Sequence, residues 1–349
     1  MMPRNNGLRL QIFATIAQLG KVLILGIQFS SLSVLWFTGC STNITDTTSN
    51  MELISNKPIE QQHAITEFKK VLGINPESEW SHYNLGLAHY NQGEYQQAVR
   101  QFEKVIEINP ESEWSHYNLG LAHYNQGEYQ QAVRQFEKVI EINPNNIEVH
   151  NNLGLAYHNQ GKYSKAIIEF EKVIETNPIN AEAHNNLGLA YHNQGKYSKA
   201  IIEFEKVIET NPINAEAHNN LGLVCYSQGK YQQAAAEFEK VIKLNPNNAE
   251  AHNRLGLVHY NRGEYSKAIK QFEKVIEINP NNTEIYSNLG LVYYNQGKYP
   301  KAIFEFEKVI KLNPNNAIAH HNLGLVYKEQ GKITEAEAEF KKAKDILTE

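Results

Sequence analysis

The apolar residues of this chain recur at helical spacing through most of its length. In the stretch Glu79–Pro110, for example, Ala98, Phe102 and Val105 stand three or four residues apart among charged and amide side chains. Such spacing places the apolar residues on one face of a helix. The pattern therefore predicts amphipathic helices, and no alternating segment indicates a strand.

The helical pattern repeats with a period of 34 residues, which is the step from one Asn-Pro proline to the next. These prolines are Pro76, Pro110, Pro144, Pro178, Pro212, Pro246, Pro280 and Pro314. Leu-Gly pairs keep the same step, and Glu79–Pro110 is identical to Glu113–Pro144. Because no insertion interrupts the eight copies, the sequence predicts a solenoid with one supersecondary unit per repeat.

Each repeat is predicted to form two helices. In the first complete repeat, the first helix ends at about Asn91, just before Gly93, which suits a left-handed C-terminal residue. The second helix runs from about Tyr95 to Ile108 and stops before Asn109-Pro110, because the residue before a proline is disfavoured in a helix. Good N-cap residues precede the first helices: Ser78, Ser112, Asn146, Asn180, Asn214, Asn248, Asn282 and Asn316.

These residues make the repeat resemble the tetratricopeptide repeat (TPR). The signature positions of the first complete repeat are Leu85, Gly86, Gly93, Tyr95, Ala98, Phe102 and Pro110. The resemblance covers residues 79–349 as eight repeats, and residues 58–78 as half a repeat in which only the second helix is recognisable. It implies an all-α fold, a right-handed superhelical solenoid of antiparallel helix pairs, with partner polypeptides bound in the concave groove.

Helical periodicity divides the first helix of each repeat into two faces. With Glu79 counted as position one, positions four, seven, eight and eleven form a packing face that includes Gly86, where two helices can approach closely. Positions two, five, six, nine, twelve and thirteen lie opposite, and we call them the groove face. By resemblance to TPR proteins, the groove face is expected to line the concave groove.

Asparagine and tyrosine columns dominate the predicted groove face. Position six carries Asn84, Asn118, Asn152, Asn186, Asn220, Arg254, Asn288 and Asn322, and position twelve carries Tyr90, Tyr124, Tyr226, Tyr260 and Tyr294 among others. Side-chain amides can pair with the backbone of an extended peptide, and tyrosine adds apolar area with a polar tip. The first column resembles the asparagine ladder in the TPR groove of protein O-linked N-acetylglucosamine transferases.

A structural role is the alternative for both asparagine columns. Duplication would copy a helix-capping or solvated asparagine as faithfully as a binding residue. For position six the two interpretations remain open. For position thirteen, which lies at a helix end and includes Asn91, the structural role is favoured.

The first two complete repeats carry large aromatic residues where later repeats have Glu and Asn. Trp80 and Trp114 occupy position two, and Tyr83 and Tyr117 occupy position five. The hypothesis is that both tryptophans anchor a partner, and the alternative is that they cover the end of the solenoid. TPR domains that clamp the C-terminal carboxylate of cytosolic chaperones carry Lys and Arg at positions two, five and six. That mode is not expected here, because Arg254 is the one cation in column six.

Composition excludes several other classes of protein. The net charge of −5 argues against a general nucleic-acid binder, and two cysteines cannot form a disulfide-rich scaffold. No phosphate-binding loop, HExxH or CxxC motif occurs.

Seven of the 14 histidines fall at position four of the packing face, one solenoid step apart, so buried packing histidines are favoured over a metal site. No enzymatic activity, cofactor or metal is expected.

The N-terminal segment predicts export from the cytoplasm. Residues 1–39 carry three cations and no acid, and an apolar run ends at Thr38-Gly39-Cys40. This ending resembles a bacterial lipobox, which predicts removal of residues 1–39 and lipidation of Cys40. Residues 40–57 then form a flexible polar tether. The alternatives are a cleaved signal without lipid and an uncleaved N-terminal signal anchor.

These observations predict a non-enzymatic scaffold or adaptor of the cell envelope, anchored to a membrane by lipid and facing outside the cytoplasm. Its expected partner is a protein or extended peptide and not nucleic acid, and self-association is possible. One alternative is an assembly chaperone for a membrane protein complex, as in pilus or photosystem biogenesis. A further alternative is a TPR partner of a glycosyltransferase.

Overall fold

The computed structural model describes residues 58–348, which contain 17 α-helices and no strand. The helices are α1 Pro58–Ile74, α2 Glu79–Asn91, α3 Tyr95–Ile108, α4 Glu113–Asn125, α5 Tyr129–Ile142, α6 Ile147–Asn159, α7 Tyr163–Thr176, α8 Ala181–Asn193, α9 Tyr197–Thr210, α10 Ala215–Ser227, α11 Tyr231–Leu244, α12 Ala249–Asn261, α13 Tyr265–Ile278, α14 Thr283–Asn295, α15 Tyr299–Leu312, α16 Ala317–Glu329 and α17 Ile333–Thr348. The predicted all-α fold and helix pairs are confirmed, and α1 lies in the stretch predicted to be half a repeat.

The described helices form two compact bodies. The N-terminal body ends at Gln160 and contains α1–α6, and the C-terminal body begins at Gly161 and contains α7–α17. Within each body, every helix packs against the next one along the chain. The repeats are therefore stacks of antiparallel helix pairs, as predicted.

Helix ends follow the predicted chemistry with one exception. The side chains of Ser78 and of all six N-cap asparagines accept a backbone N–H from the first turn. Ser112 was predicted to do the same, but its hydroxyl donates to Ser115 Oγ at 2.9 Å and makes no capping bond to the backbone. At the other end, Gly93 has φ +75°, which confirms the left-handed position.

Within each body, the packing face brings the two helices of a repeat together through a glycine and a phenylalanine. A Cβ atom on Gly86 would lie 2.6 Å from Cε1 of Phe102, so the ring occupies the space that any side chain would need. Phe102 is fully buried. The same contact recurs between Gly120 and Phe136, which shows that it is a property of the repeat.

Each first helix also has a second buried side that the two-face prediction did not separate. Ala88, at position ten, is fully buried. It belongs to a cluster with Leu85 on α2 and with Ile65 and Phe68 on α1. The first helix thus packs between two second helices, its own and the preceding one, as stacking in a solenoid requires.

The predicted signal segment 1–39 and tether 40–57, including Cys40, lie outside the described residues. Across residues 58–348, none of the helices combines the length and the apolar character needed to cross a bilayer.

Candidate partner-binding face

The groove face is unevenly exposed in the folded chain. Trp80 and Trp114 have 56% and 44% of their surface exposed. Most other predicted groove residues are half-buried: Tyr83, Asn84, Tyr90, Tyr124, Asn152, Asn186, Tyr226, Tyr260, Asn288, Tyr294 and Asn322. Tyr117, Asn118 and Asn220 are buried, so these three offer little surface to a partner.

Many position-six asparagines donate hydrogen bonds within the chain. Asn84 Nδ2 donates to the backbone oxygen of Trp80 at 2.7 Å. Asn118 Nδ2 donates both to the backbone oxygen of Trp114 at 2.8 Å and to Tyr83 Oη at 3.1 Å, which uses both amide hydrogens. Asn118 thus joins neighbouring repeats and has only its amide oxygen left to offer, whereas the bond of Asn84 stays within its own helix.

The remaining members of the column vary in their neighbours. Asn152 Nδ2 donates to Tyr117 Oη at 3.0 Å, and Asn288 Nδ2 donates to Asn253 Oδ1 at 3.3 Å. The buried Nδ2 of Asn220 has no hydrogen-bond partner among the described residues. The column therefore does not act as one uniform ladder.

Positions twelve and thirteen form a second set of bonds between repeats. The amide nitrogen of a position-thirteen asparagine donates to the phenol oxygen of the tyrosine 35 residues earlier, at 2.6–2.8 Å. The four pairs are Asn125 to Tyr90, Asn159 to Tyr124, Asn261 to Tyr226 and Asn295 to Tyr260. Because each tyrosine oxygen accepts, its own proton is left for an acceptor such as a peptide carbonyl. These bonds were not predicted from the sequence, although each position-thirteen asparagine follows a position-twelve tyrosine of the preceding repeat by a constant 35 residues.

The aromatic residues of the N-terminal body divide between packing and exposure. The ring of Trp80 meets the ring of Phe68 edge to face, with centroids 5.4 Å apart. Tyr117 Oη donates to the carboxylate of Glu148 at 2.5 Å. Trp80 therefore covers α1 with one side and keeps a wide exposed side.

Burial favours the protonated phenol of the two position-five tyrosines, Tyr83 and Tyr117. It raises the pKa of Tyr83 to about 12, although the bond from Asn118 acts in the opposite direction. Burial also raises the pKa of Tyr117, and the adjoining Glu148 carboxylate adds to the effect. These side chains consequently act as neutral hydrogen-bonding groups.

The histidines of the packing face lie in hydrogen-bonded contacts inside the repeats. His184 Nδ1 lies 2.6 Å from Glu203 Oε2, and its Nε2 lies 3.0 Å from the backbone oxygen of Pro178. Within residues 58–348, no group of three or more His, Cys, Asp or Glu side chains could hold a metal ion. Cys225 is buried, and burial raises the pKa of its thiol, which disfavours the reactive thiolate.

Comparison with known proteins agrees with this architecture. The TPR repeat family model matches residues 60–93, 89–127, 123–161, 156–195, 222–263, 259–297 and 291–331. Other tetratricopeptide repeat models match residues 181–214, 203–236 and 317–346. None of the curated proteins matches the chain.

Several solved structures are similar to this one. A tetratricopeptide repeat protein from Parabacteroides merdae has a TM-score of 0.59 and 21% identity, over 71% of this chain and 98% of that one. A chain of the APC/C hetero-tetramer Cut9-Hcn1 has a TM-score of 0.51 and 18% identity, over 80% of this chain and 56% of that one. MamA is 31% identical over 46% of this chain and 95% of its own, with a TM-score of 0.44. The repeats, their contacts and the family models together show that the chain belongs to the tetratricopeptide repeat family.

Proposed function

We propose that this chain is a non-enzymatic scaffold that binds a partner polypeptide along the groove face. Proteins of this repeat family typically serve as interaction scaffolds. The observation that carries the proposal is the combination of exposed tryptophan surface with half-buried tyrosines whose phenol protons are free for an acceptor. Aromatic rings with polar tips are the side chains enriched where proteins bind each other.

Site-specific photocrosslinking in the native cell tests this proposal. A photoreactive phenylalanine analogue is placed at Trp114 on the groove face or at Ile168, which is 52% exposed on the second helix α7. The proposal predicts discrete protein adducts from position 114 and few from position 168. Equal adducts at both positions would show that the groove face has no special role.

The tryptophans require their own test. In the double variant Trp80→Ala, Trp114→Ala, binding of a partner identified by crosslinking should weaken about tenfold or more, since buried tryptophans often dominate interface energies. The matched control is Ile168→Ala, which removes an exposed apolar side chain outside the groove face. Undiminished binding by the double variant would remove the anchor hypothesis and leave Trp80 as a cover over α1.

For the N-terminal segment, we propose export and a lipid anchor at Cys40, with the scaffold facing outside the cytoplasm. The support is the basic start, the apolar run and the ending Thr38-Gly39-Cys40. Metabolic labelling with a radioactive fatty acid should mark the wild-type chain, shortened by the loss of residues 1–39, and should not mark Cys40→Ala. A wild-type chain that stays in the membrane at full length and without label would indicate an uncleaved signal anchor.

A further inference from the structure

A pocket of about 350 Å³ opens on the groove face of the C-terminal body. Leu223 and Tyr226 of α10 and Leu257 of α12 supply apolar surface to its wall. Glu250 and Arg254 of α12, together with Glu284 of α14, supply charge. All six residues stand at groove-face positions of their repeats, so the pocket lies where an extended partner is proposed to run.

The charges around this pocket do not balance. Arg254 Nε donates to Glu250 Oε1 at 2.9 Å, and its Nη2 makes a second, shorter bond to the same oxygen. This ion pair neutralises the guanidinium. Glu284 receives only a neutral donor at the pocket, since Asn253 Nδ2 lies 3.0 Å from its Oε1. One guanidinium therefore faces two carboxylates, and the pocket carries a net negative charge.

We propose that this pocket receives a cationic side chain, lysine or arginine, from the bound polypeptide. The inference rests on the proposed function and specifies the chemistry of the partner. The cation pairs with Glu284, and the apolar stem of the incoming side chain covers Leu223 and Leu257. The ring of Tyr226 offers an aromatic face that also attracts a cation.

An anionic side chain fits this pocket poorly. To reach Arg254 it must displace Glu250 and approach Glu284 at the same time, so two repulsions oppose one attraction. The flanking position-two residues add to the bias, because Glu182 and Glu216 are also acidic. An extended peptide that crosses these repeats thus meets carboxylates at successive first helices.

The test is a selection of random, display-encoded dodecapeptides on the purified full-length chain. Four proteins are compared: wild type, Arg254→Asn, which restores the residue found in the other repeats, the double variant Glu250→Gln, Glu284→Gln, and the control Glu216→Gln. The wild type should enrich Lys and Arg over the input library. Arg254→Asn should strengthen this enrichment, the double variant should abolish it, and the control should keep it.

Affinity measurements on one selected peptide complete the test. Fluorescence anisotropy should show a three- to tenfold loss of affinity, roughly, for Glu284→Gln with the basic peptide. When the basic residue of the peptide is replaced by Gln, the same substitution should have no effect. Circular dichroism melting of each variant verifies that these exposed substitutions leave the fold intact.

The possible failures are distinguishable. Recovery of no peptide above the bare matrix would overturn both the proposed function and this inference. Peptides without a bias toward Lys and Arg, or with an excess of Asp and Glu, would overturn the inference alone. So would a basic peptide whose affinity is unchanged by Glu284→Gln.

Discussion

Within each body, a glycine without a side chain allows the two helices of a repeat to approach closely. A Cβ atom on Gly188 would lie 2.6 Å from Cε1 of the fully buried Phe204. We expect Gly188→Ala to lower the free energy of unfolding by about 1–3 kcal/mol, because the ring has no space into which to move. Denaturant unfolding followed by circular dichroism measures this loss.

A second glycine provides the control for this prediction. Gly195 has φ +73° and open space around it. Gly195→Ala should therefore lower the free energy of unfolding by about 1–2 kcal/mol through backbone strain alone. Phe204→Leu should reduce the cost of Gly188→Ala and leave the cost of Gly195→Ala unchanged. Equal coupling of Phe204→Leu to both glycine substitutions would refute the steric explanation.

The contact of a packing histidine can be tested with a residue that already occurs at the equivalent position of another repeat. His184 contacts Glu203 in the slot where His82 contacts Gln101, whose Oε1 lies 2.8 Å from His82 Nδ1. In both repeats Nε2 faces a proline carbonyl. Because glutamine serves in the equivalent contact, Glu203→Gln should change the free energy of unfolding by less than about 1 kcal/mol.

Removal of the histidine should cost more than replacement of the glutamate. His184→Leu removes the ring nitrogens that face Glu203 and the Pro178 carbonyl, and a buried group left without a hydrogen bond costs about 1–3 kcal/mol. Glu203 keeps the bond from Lys206, so the Pro178 carbonyl is the more exposed to this loss. Thermal and urea unfolding of the two variants side by side measure the difference. If Glu203→Gln proved the more damaging, the contact would depend on charge rather than on hydrogen-bond geometry.

At the residue scale, the sequence predicts backbone conformation better than it predicts the hydrogen-bond partners of side chains. The glycine and proline positions follow from allowed φ values, which depend on the residue itself. The capping bond is not predictable in the same way. Ser78 and Ser112 precede identical helices and both donate to the serine three residues later, yet only Ser78 also accepts a backbone N–H. That bond is 3.3 Å long, so small shifts of the backbone, which local sequence does not reveal, decide whether it forms.

Between elements, Tyr–Asn bonds connect four of the first helices, α2, α4, α10 and α12, to the following first helix. Columns twelve and thirteen were predicted separately, one as a binding surface and the other as helix-end chemistry. The structure joins them, because the end of one first helix lies beside the end of the following one. Helical periodicity within one element cannot show this contact, since it depends on how far successive repeats are translated and rotated.

The half-buried phenol of Tyr83 makes the free energy of unfolding depend on pH in the alkaline range. Its pKa is raised to about 12, mainly by burial, from an ordinary value near 10. The folded chain therefore keeps a proton that the unfolded chain loses above pH 10, and the free energy of unfolding should fall as the pH rises from about 10 to 12. This contribution is fully present below pH 10.

Urea unfolding at pH 8, 10 and 11 measures this dependence. Tyr83→Phe removes one titrating group, so its free energy of unfolding should fall less steeply above pH 10 than that of the wild type. Absorbance of the phenolate near 295 nm, as a marker of titration, should show one fewer late-titrating tyrosine in the folded variant. Identical slopes for both proteins would mean that Tyr83 does not carry the effect.

For the whole molecule, the strict period predicted the helices and their pairing almost residue by residue. The net charge of the pocket was not predicted, because Glu250, Arg254 and Glu284 belong to two repeats and the partners of each charge depend on side-chain conformation. Likewise, the division between Gln160 and Gly161 has no counterpart in the sequence pattern, since Gly161 fills the same slot as the other turn glycines.

A repeat architecture predicts that whole repeats can be removed without loss of the fold. Deletion of residues 113–146 joins Ser112, a residue before a first helix, to Ile147, the first residue of α6. Each remaining first helix still packs against second helices, so helicity per residue should be unchanged. The slope of the unfolding free energy against urea concentration should fall by roughly an eighth, because the shorter chain exposes proportionately less surface on unfolding.

Deletion of half a repeat is the matched control. Without residues 113–129, two second helices follow each other, and the glycine that accommodates the Phe136 ring is lost. This variant should lose cooperative unfolding in the N-terminal body, although it removes only half as many residues. If both deletions behaved alike, the free energy of unfolding would depend on chain length and not on the alternation of first and second helices. The contacts between stacked helices in α1–α6 would then contribute little to stability.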